Sequence, residues 1–167
     1  MIERYTLPEM ASVWTEQRKY EIWQEIEVLA CEAMAECGYI PVEDAREIRT
    51  KARFDLEQIA EIERRTNHDV IAFLENEASF IGPAARWMHQ GMTSSDVLDT
   101  TLAVQMAQAS DILLKDLREL IAVCGRRAVE FKMTPMIGRS HGIHAEPVTF
   151  GLKLALMYDE FRRALER

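Results

Sequence analysis

The chain has 167 residues, 48% hydrophobic and 29% charged, with a formal net charge of −8. This is enough chain for one hydrophobic core, or for one domain and part of another, in an ordinary folded, water-soluble composition. The acidic balance argues against general binding to nucleic acid or to an anionic membrane, and it leaves room for an anionic small ligand held by a local arginine cluster.

Only 7 Gly and 5 Pro occur among abundant Ala, Glu, Leu, Met and Arg, which points to an all-α fold. Cys31, Cys37 and Cys124 form no framework and are expected to be reduced thiols in a cytoplasmic protein. The opening Met1-Ile-Glu-Arg-Tyr-Thr is polar and carries no signal peptide, and no apolar run approaches the length of a membrane span.

In chain order, residues 1–8 are expected to form an ordered arm. From Glu9 to Cys37, Trp14, Ile22, Ile26, Leu29 and Ala33 recur at helical steps, and Gly38 stops the helix. A short helix follows over Val42–Ala52, and another begins near Asp55 with Leu56, Ile59 and Ile62 on one face. Thr66-Asn-His-Asp69 fits a capping box for a helix bearing Val70, Phe73, Leu74 and Ile81, closed by Gly82-Pro83. Residues 84–93 are a connection with Arg86, Trp87, His89 and Gly91. The longest pattern then runs from Ser94 to about Lys132, with a stripe of Leu98, Leu102, Met106, Ala109, Leu113, Leu117, Leu120 and Cys124 expected to be buried. A helix this long needs a partner of like length to cover that stripe. A last helix is expected from Pro147 or Val148 and is still running at Arg167, so the chain reads as truncated. The organisation is a small N-terminal helical domain, 1–92, followed by the first part of a long-helix bundle, 93–167.

Four polar islands interrupt this helical text: Arg4-Tyr5, Asn67-His68-Asp69, His89 to Asp96, and Arg139-Ser140-His141. They lie at helix starts or connections, where free N–H groups and the helix dipole favour anions. Together they supply imidazoles, guanidinium groups, hydroxyls and carboxylates suited to an anionic substrate and to proton transfer. Each also has a plainer reading. Arg4-Tyr5 fits a solvated arm, and Asn67-His68-Asp69 and Thr93-Ser-Ser-Asp96 fit helix caps. The turn-rich segment 133–151 holds His141 either at the mouth of a site or on an incidental helix-to-helix connection. The spacing of His141 and His144 raises a metal, but Gly142 and Pro147 keep the two from sharing a helix face and no third ligand is near, so no metal is expected. The nine methionines and Trp14, Trp23 and Trp87 fit packing.

Taken in order, Arg4-Tyr5, Asn67-His-Asp-Val70, Gly91-Met-Thr-Ser-Ser-Asp96 and Thr134-Pro-Met-Ile-Gly-Arg-Ser-His-Gly142, continuing to Glu146-Pro147, resemble the adenylosuccinate lyase family of the fumarase/aspartase superfamily. The resemblance runs along the whole chain. It implies a lyase that releases fumarate from adenylosuccinate to give AMP, and from a succinylated aminoimidazole carboxamide ribonucleotide in purine biosynthesis. It implies no cofactor. It assigns His141 as general acid and His68 as a second active-site histidine. Arg4 and Tyr5 become nucleotide-phosphate contacts, Asn67 and Asp69 substrate contacts, and Thr93 and Ser94 carboxylate-holding groups, with His89 and Gln90 secondary. The family's base, a serine on a glycine- and serine-rich loop, has no counterpart here, so the 167-residue chain alone is expected to be inactive. The family also implies a homotetramer whose sites draw on three chains, with no nucleic-acid or membrane partner. Two other readings stand beside this one: a sister enzyme such as argininosuccinate lyase, fumarase or a cycloisomerase, and a non-catalytic helical oligomerisation module.

Overall fold

A computed structural model describes residues 2–167, the side chain of Glu3 excepted. Met1 of the expected arm lies outside the described residues. The described residues fold as seven α-helices and one two-stranded hairpin, in the order α1 (Pro8–Val13), α2 (Glu16–Glu36), α3 (Val42–Lys51), α4 (Leu56–Thr66), α5 (Asp69–Ile81), α6 (Ser94–Glu130), β1 (Pro135–Ser140), β2 (Ile143–Thr149) and α7 (Phe150–Glu166), with 3-10 turns at Glu3–Tyr5 and Pro83–Trp87. The all-α expectation holds for everything but the hairpin. Two compact units divide the chain, Met1–Ala109 and Ser110–Arg167, and the division falls inside α6.

The first unit is built on two hydrophobic clusters. One joins Val28, Cys31, Ile48, Ile81 and Met88. The other joins Tyr20, Trp23, Ile59, Val70, Phe73 and Val97. Trp23 and Phe73 are fully buried and meet edge to face at 5.5 Å, a favoured aromatic geometry. Asp55 caps α4 by accepting from the Gln58 N–H at 3.0 Å.

Several sequence expectations change here. The single helix expected over 9–37 is two, because Thr15 leaves the helical region and caps α2 by accepting from the Arg18 N–H at 3.1 Å. Residues 1–8 are not purely an arm: Glu3–Tyr5 is a 3-10 turn and α1 starts at Pro8. Trp14, at the break, is partly exposed rather than packed. The stripe expected to be buried on α6 is largely open within this chain: Leu102, Met106, Leu113 and Leu120 are exposed, Leu113 by 60%. Ala109 and Cys124 of that stripe are buried as expected, and the first half of α6 also buries Val97, Thr101 and Gln105, which lie with Ala109 on one face at four-residue steps. Gln105 fixes that face by donating to the Val13 carbonyl at 2.8 Å.

In the second unit, segment 133–151 forms an antiparallel hairpin rather than an irregular connection, pairing Met136 with Val148 and Ser140 with Ile143. Pro147 lies in β2, and α7 begins at Phe150, capped by Thr149 accepting from the Leu152 N–H at 3.1 Å. Gly151 permits the join: a Cβ there would meet the Ala128 carbonyl oxygen at 2.5 Å.

Candidate active site

The α4–α5 junction is sharper than a capping box. Asn67 ends α4 in the left-handed region at φ 51°, a conformation its short amide side chain tolerates. The cap of α5 is therefore His68, not Thr66, and its Nδ1 accepts from the Ile71 N–H at 3.4 Å. A ring nitrogen that accepts carries no proton, so this contact places the His68 proton on Nε2. Asp69 Oδ1 accepts from the Val70 N–H at 2.8 Å and lies 3.6 Å from His68 Nδ1, too far for a hydrogen bond. His68 and Asp69 thus present half-exposed polar tips above a helix start.

The second island begins α6. The Asp96 carboxylate accepts from the Thr93 N–H at 2.8 Å, the returning half of a capping box. Val70, from the first turn of α5, and Val97, from the first turn of α6, pack in one cluster with Met92 and Leu98. The islands around His68 and Thr93–Ser94 are therefore carried on helix starts sharing one core. The first-turn N–H groups at such starts have no intrahelical partner and favour a carboxylate.

His89 and Gln90 occupy the loop between them. His89 is left-handed at φ 61°, an uncommon conformation for a residue with a Cβ. Glu27 of α2 holds it twice: one carboxylate oxygen accepts from the His89 N–H at 2.8 Å, and the other meets His89 Nδ1 at 2.6 Å. Gln90 Nε2 donates to the Arg86 carbonyl at 2.9 Å. Trp87 is held by packing and by its indole N–H, which donates to Asp44 at 2.6 Å. Sequence reasoning missed Glu27. The signal was available, since Trp23, Glu27 and Cys31 follow one another at four-residue steps and put a carboxylate in an apolar stripe.

Arg4 and Tyr5 are exposed on the 3-10 turn, the guanidinium 4.8 Å from the ring centroid. Among the described residues, no group of three or more His, Cys, Asp and Glu side chains is placed to hold a metal ion.

In the second unit, His141 and Gly142 are the two turn residues of the hairpin, at φ 52° and 76°. Two positive φ angles in a two-residue loop mark a type I′ turn, whose twist matches the flanking strands. The rigid ladder thus carries the exposed imidazole at its tip, and Arg139 pairs across the ladder with His144. Gly138, at the register shift, is required by contact: a Cβ there would meet the Glu146 carbonyl oxygen at 2.6 Å.

The first unit thus carries two polar helix starts on one core, and the second carries an imidazole on a hairpin tip. A model of the lyase family matches residues 3–167. The chain belongs to this lyase family. It is 51% identical over all 167 residues to the adenylosuccinate lyase of Bacillus subtilis (strain 168), and 48% identical over the same length to that of Staphylococcus saprophyticus. The chain spans 39% of the length of each of these relatives. Among solved structures, the chain is similar to 3-carboxy-cis,cis-muconate lactonizing enzyme from Pseudomonas putida, with a TM-score of 0.90 at 28% identity, covering 98% of this chain and 39% of that one. It is similar also to a fumarate lyase from Mesorhizobium sp. BNC1, with a TM-score of 0.85 at 27% identity, covering 94% and 38%. The lyase-family membership places the hairpin and helix starts in a fold these enzymes share.

Proposed function

We propose that the protein acts as an adenylosuccinate lyase, eliminating fumarate from adenylosuccinate to give AMP and from the succinylated aminoimidazole carboxamide ribonucleotide. The observation that carries this reading is the 51% identity to such an enzyme across the whole chain. The chemistry fits the residues. A base removes the proton next to the succinyl carboxylate, the carbon–nitrogen bond breaks as the double bond of fumarate forms, and the departing nitrogen takes a proton. In this reading His141 donates that proton, and His68, with its proton on Nε2, assists His141 or the substrate. Thr93 and Ser94 hold the succinyl carboxylate, whose oxygens gain charge as the proton leaves. Arg4 and Tyr5 take the nucleotide phosphate, Asn67 and Asp69 contact the substrate, and His89 and Gln90 line the path to the Thr93 loop. The base belongs to a loop outside the 167 residues.

The open apolar stripe of α6 supports a homotetramer in which helices of neighbouring copies cover it and sites are completed across chains. We place the enzyme in the cytoplasm; no helix among the described residues is long and apolar enough to cross a membrane. The likeness to the muconate lactonizing enzyme favours a second reading, a cycloisomerase, at lower identity. The test is to supply the natural full-length chain with adenylosuccinate and, separately, with a carboxymuconate. Release of fumarate and AMP is expected. Turnover of the muconate with no reaction of adenylosuccinate would replace the first reading with the second.

A further inference from the structure

Glu27 and Glu77 are both fully buried, on α2 and α5, and are the two buried carboxylates among the described residues. Buried carboxylates are expensive unless partnered, so the two invite the question of what each does. Their partners differ sharply. Glu27 uses both oxygens on His89, one on the backbone N–H and one on ring Nδ1. Neither oxygen of Glu77 has a partner. Burial, and then the nearby Glu27, push the Glu77 carboxyl up to about 8. One turn along α2 from Glu27, the Cys31 thiol contacts the Trp87 carbonyl at 3.7 Å, so the same face of α2 grips the loop again two residues earlier. From α3, Asp44 takes both the Trp87 indole N–H and the Arg86 guanidinium, the latter at 2.7 Å.

We infer that Glu27 is a positioning residue for the site: it holds His89 in its left-handed conformation and fixes the imidazole with its proton on Nδ1, so that Nε2 is the nitrogen offered to substrate. The inference rests on the reading of His89 as a substrate contact. The geometry gives each half of this role a cause. A left-handed backbone at a residue with a Cβ persists only where surroundings over-determine it, and the bond from the His89 N–H to a buried carboxylate supplies that constraint. An Nδ1–H donated to a carboxylate selects one tautomer and leaves Nε2 as an acceptor with no rotation to search. The carboxylate comes from the middle of a 21-residue helix whose neighbouring turns are buried, so the anchor is rigid while the loop it holds is not regular structure. An amide cannot keep this tautomer. A glutamine could pair with both His89 groups only by donating its NH2 to Nδ1, which moves the imidazole proton to Nε2 and withdraws the acceptor offered to substrate.

The experiment uses the natural full-length chain with four variants: Glu27→Gln, Glu77→Gln, His89→Ala, and the double variant Glu27→Gln/His89→Ala. Two readouts are taken, steady-state elimination of adenylosuccinate and amide hydrogen exchange of the peptide spanning residues 88–93. Glu27→Gln is expected to speed exchange of that peptide and to lower kcat/KM roughly tenfold or more, the worth of hydrogen bonds to a charged group. Glu77→Gln, an equally buried carboxyl-to-amide change without a loop contact, should leave both readouts near wild type. The decisive comparison is the double variant: if Glu27 acts through His89, adding Glu27→Gln to His89→Ala costs little more. Additive losses, or equal losses from Glu77→Gln, would overturn the inference while leaving the lyase reading intact. Should Glu27→Gln fail to fold, Glu27→Met removes the buried charge with similar volume, and the same two readouts decide. If the wild type does not eliminate fumarate, the functional reading falls. Exchange of residues 88–93 then still decides whether Glu27 holds the loop, and unchanged exchange in Glu27→Gln would overturn that as well.

Discussion

The two units of this chain solve the burial problem in opposite ways. In the first, five helices and the start of α6 turn their apolar faces on one another, and Trp23, Val28, Ile48, Ile59, Val70, Phe73 and Val97 are all but closed to water. In the second, Cys124 is the one buried hydrophobic side chain among the described residues, while Leu113, Leu120, Val129, Ile143, Leu152 and Leu156 are exposed. Yet local order is not weaker there. The hairpin is paired on both sides of its register shift at Gly138, Phe131 and Phe150 pack tilted with ring centroids 5.2 Å apart, and α7 is capped. The difference teaches that secondary structure and core formation are separable: the second unit has its elements in place and its apolar faces open. An open face of this size calls for cover from elsewhere, and in the proposed function that cover is the rest of the bundle and its neighbouring copies.

The largest expected effect lies on the hairpin tip of the second unit. Under the proposed function, His141→Ala in the full-length chain should lower turnover by roughly 10²–10⁴-fold while substrate binding falls much less, since a general acid matters mainly as the nitrogen departs. Arg4→Ala should show the reverse bias. Because His141 is left-handed, alanine also strains the turn, so His141→Asn is the sharper variant: asparagine suits a type I′ turn and removes only the imidazole. Single-turnover rates at saturating substrate separate these cases. Near-normal turnover in His141→Asn would show that the tip matters for its shape and not for a proton. The 167-residue chain by itself should release no fumarate.

Next comes the core contrast. Phe73→Ala in the first unit should destabilise by about 3–5 kcal/mol through cavity formation. Leu156→Ala in the second should change the stability of the isolated chain by no more than about 0.5 kcal/mol. Leu113→Asp, on a face open in the single chain, should leave Trp23 fluorescence unfolding curves of that chain unmoved and should reduce the assembly size of the full-length protein. Denaturation curves and light scattering check both halves. If Leu156→Ala proved as damaging as Phe73→Ala, the two units would not differ as described.

A smaller effect is tied to pH. The Glu77 carboxyl is raised from an ordinary 4.5 to about 8 by burial and by Glu27. Below the unfolded value both states hold the proton and stability is complete. Between the two values only the folded chain keeps it, so stability falls as pH rises, by at most about 1.4 kcal/mol per pH unit, and levels off above the folded value. Glu77→Gln should flatten that slope and raise the melting temperature at pH 8 more than at pH 5. A slope equal to wild type in scans across that range would show Glu77 to be ionised in the fold. The smallest effects are the caps: Asp55→Ala in the first unit and Thr149→Ala in the second should each weaken their helix by about 1 kcal/mol, since both remove one acceptor from an otherwise unpaired N–H. Helical circular dichroism during denaturation measures both, and unequal losses would mean the units differ in local order as well as in burial.

Some of this was determined by the sequence alone. Helical periodicity placed α3, α4, α5 and α6 to within a few residues, because it depends on side chains close to one another in the chain, while the cap of α5 moved from Thr66 to His68. The specific combination of Gly91-Met-Thr-Ser-Ser-Asp96 with Gly138-Arg-Ser-His-Gly142 carried the family. Other features were decided only in three dimensions. Proline and glycine made 133–151 look like a connection, yet pairing between residues up to fourteen positions apart, Pro135 with Thr149, makes it a hairpin and puts His141 at its tip. A period of 3.6 finds the faces of α6 without saying which is covered, so the leucine stripe and the Val97–Ala109 face were indistinguishable until neighbours took the second. The grip of Glu27 on His89 joins residues 62 apart, and only the packing of α2 beneath the loop could bring a buried carboxylate to that backbone.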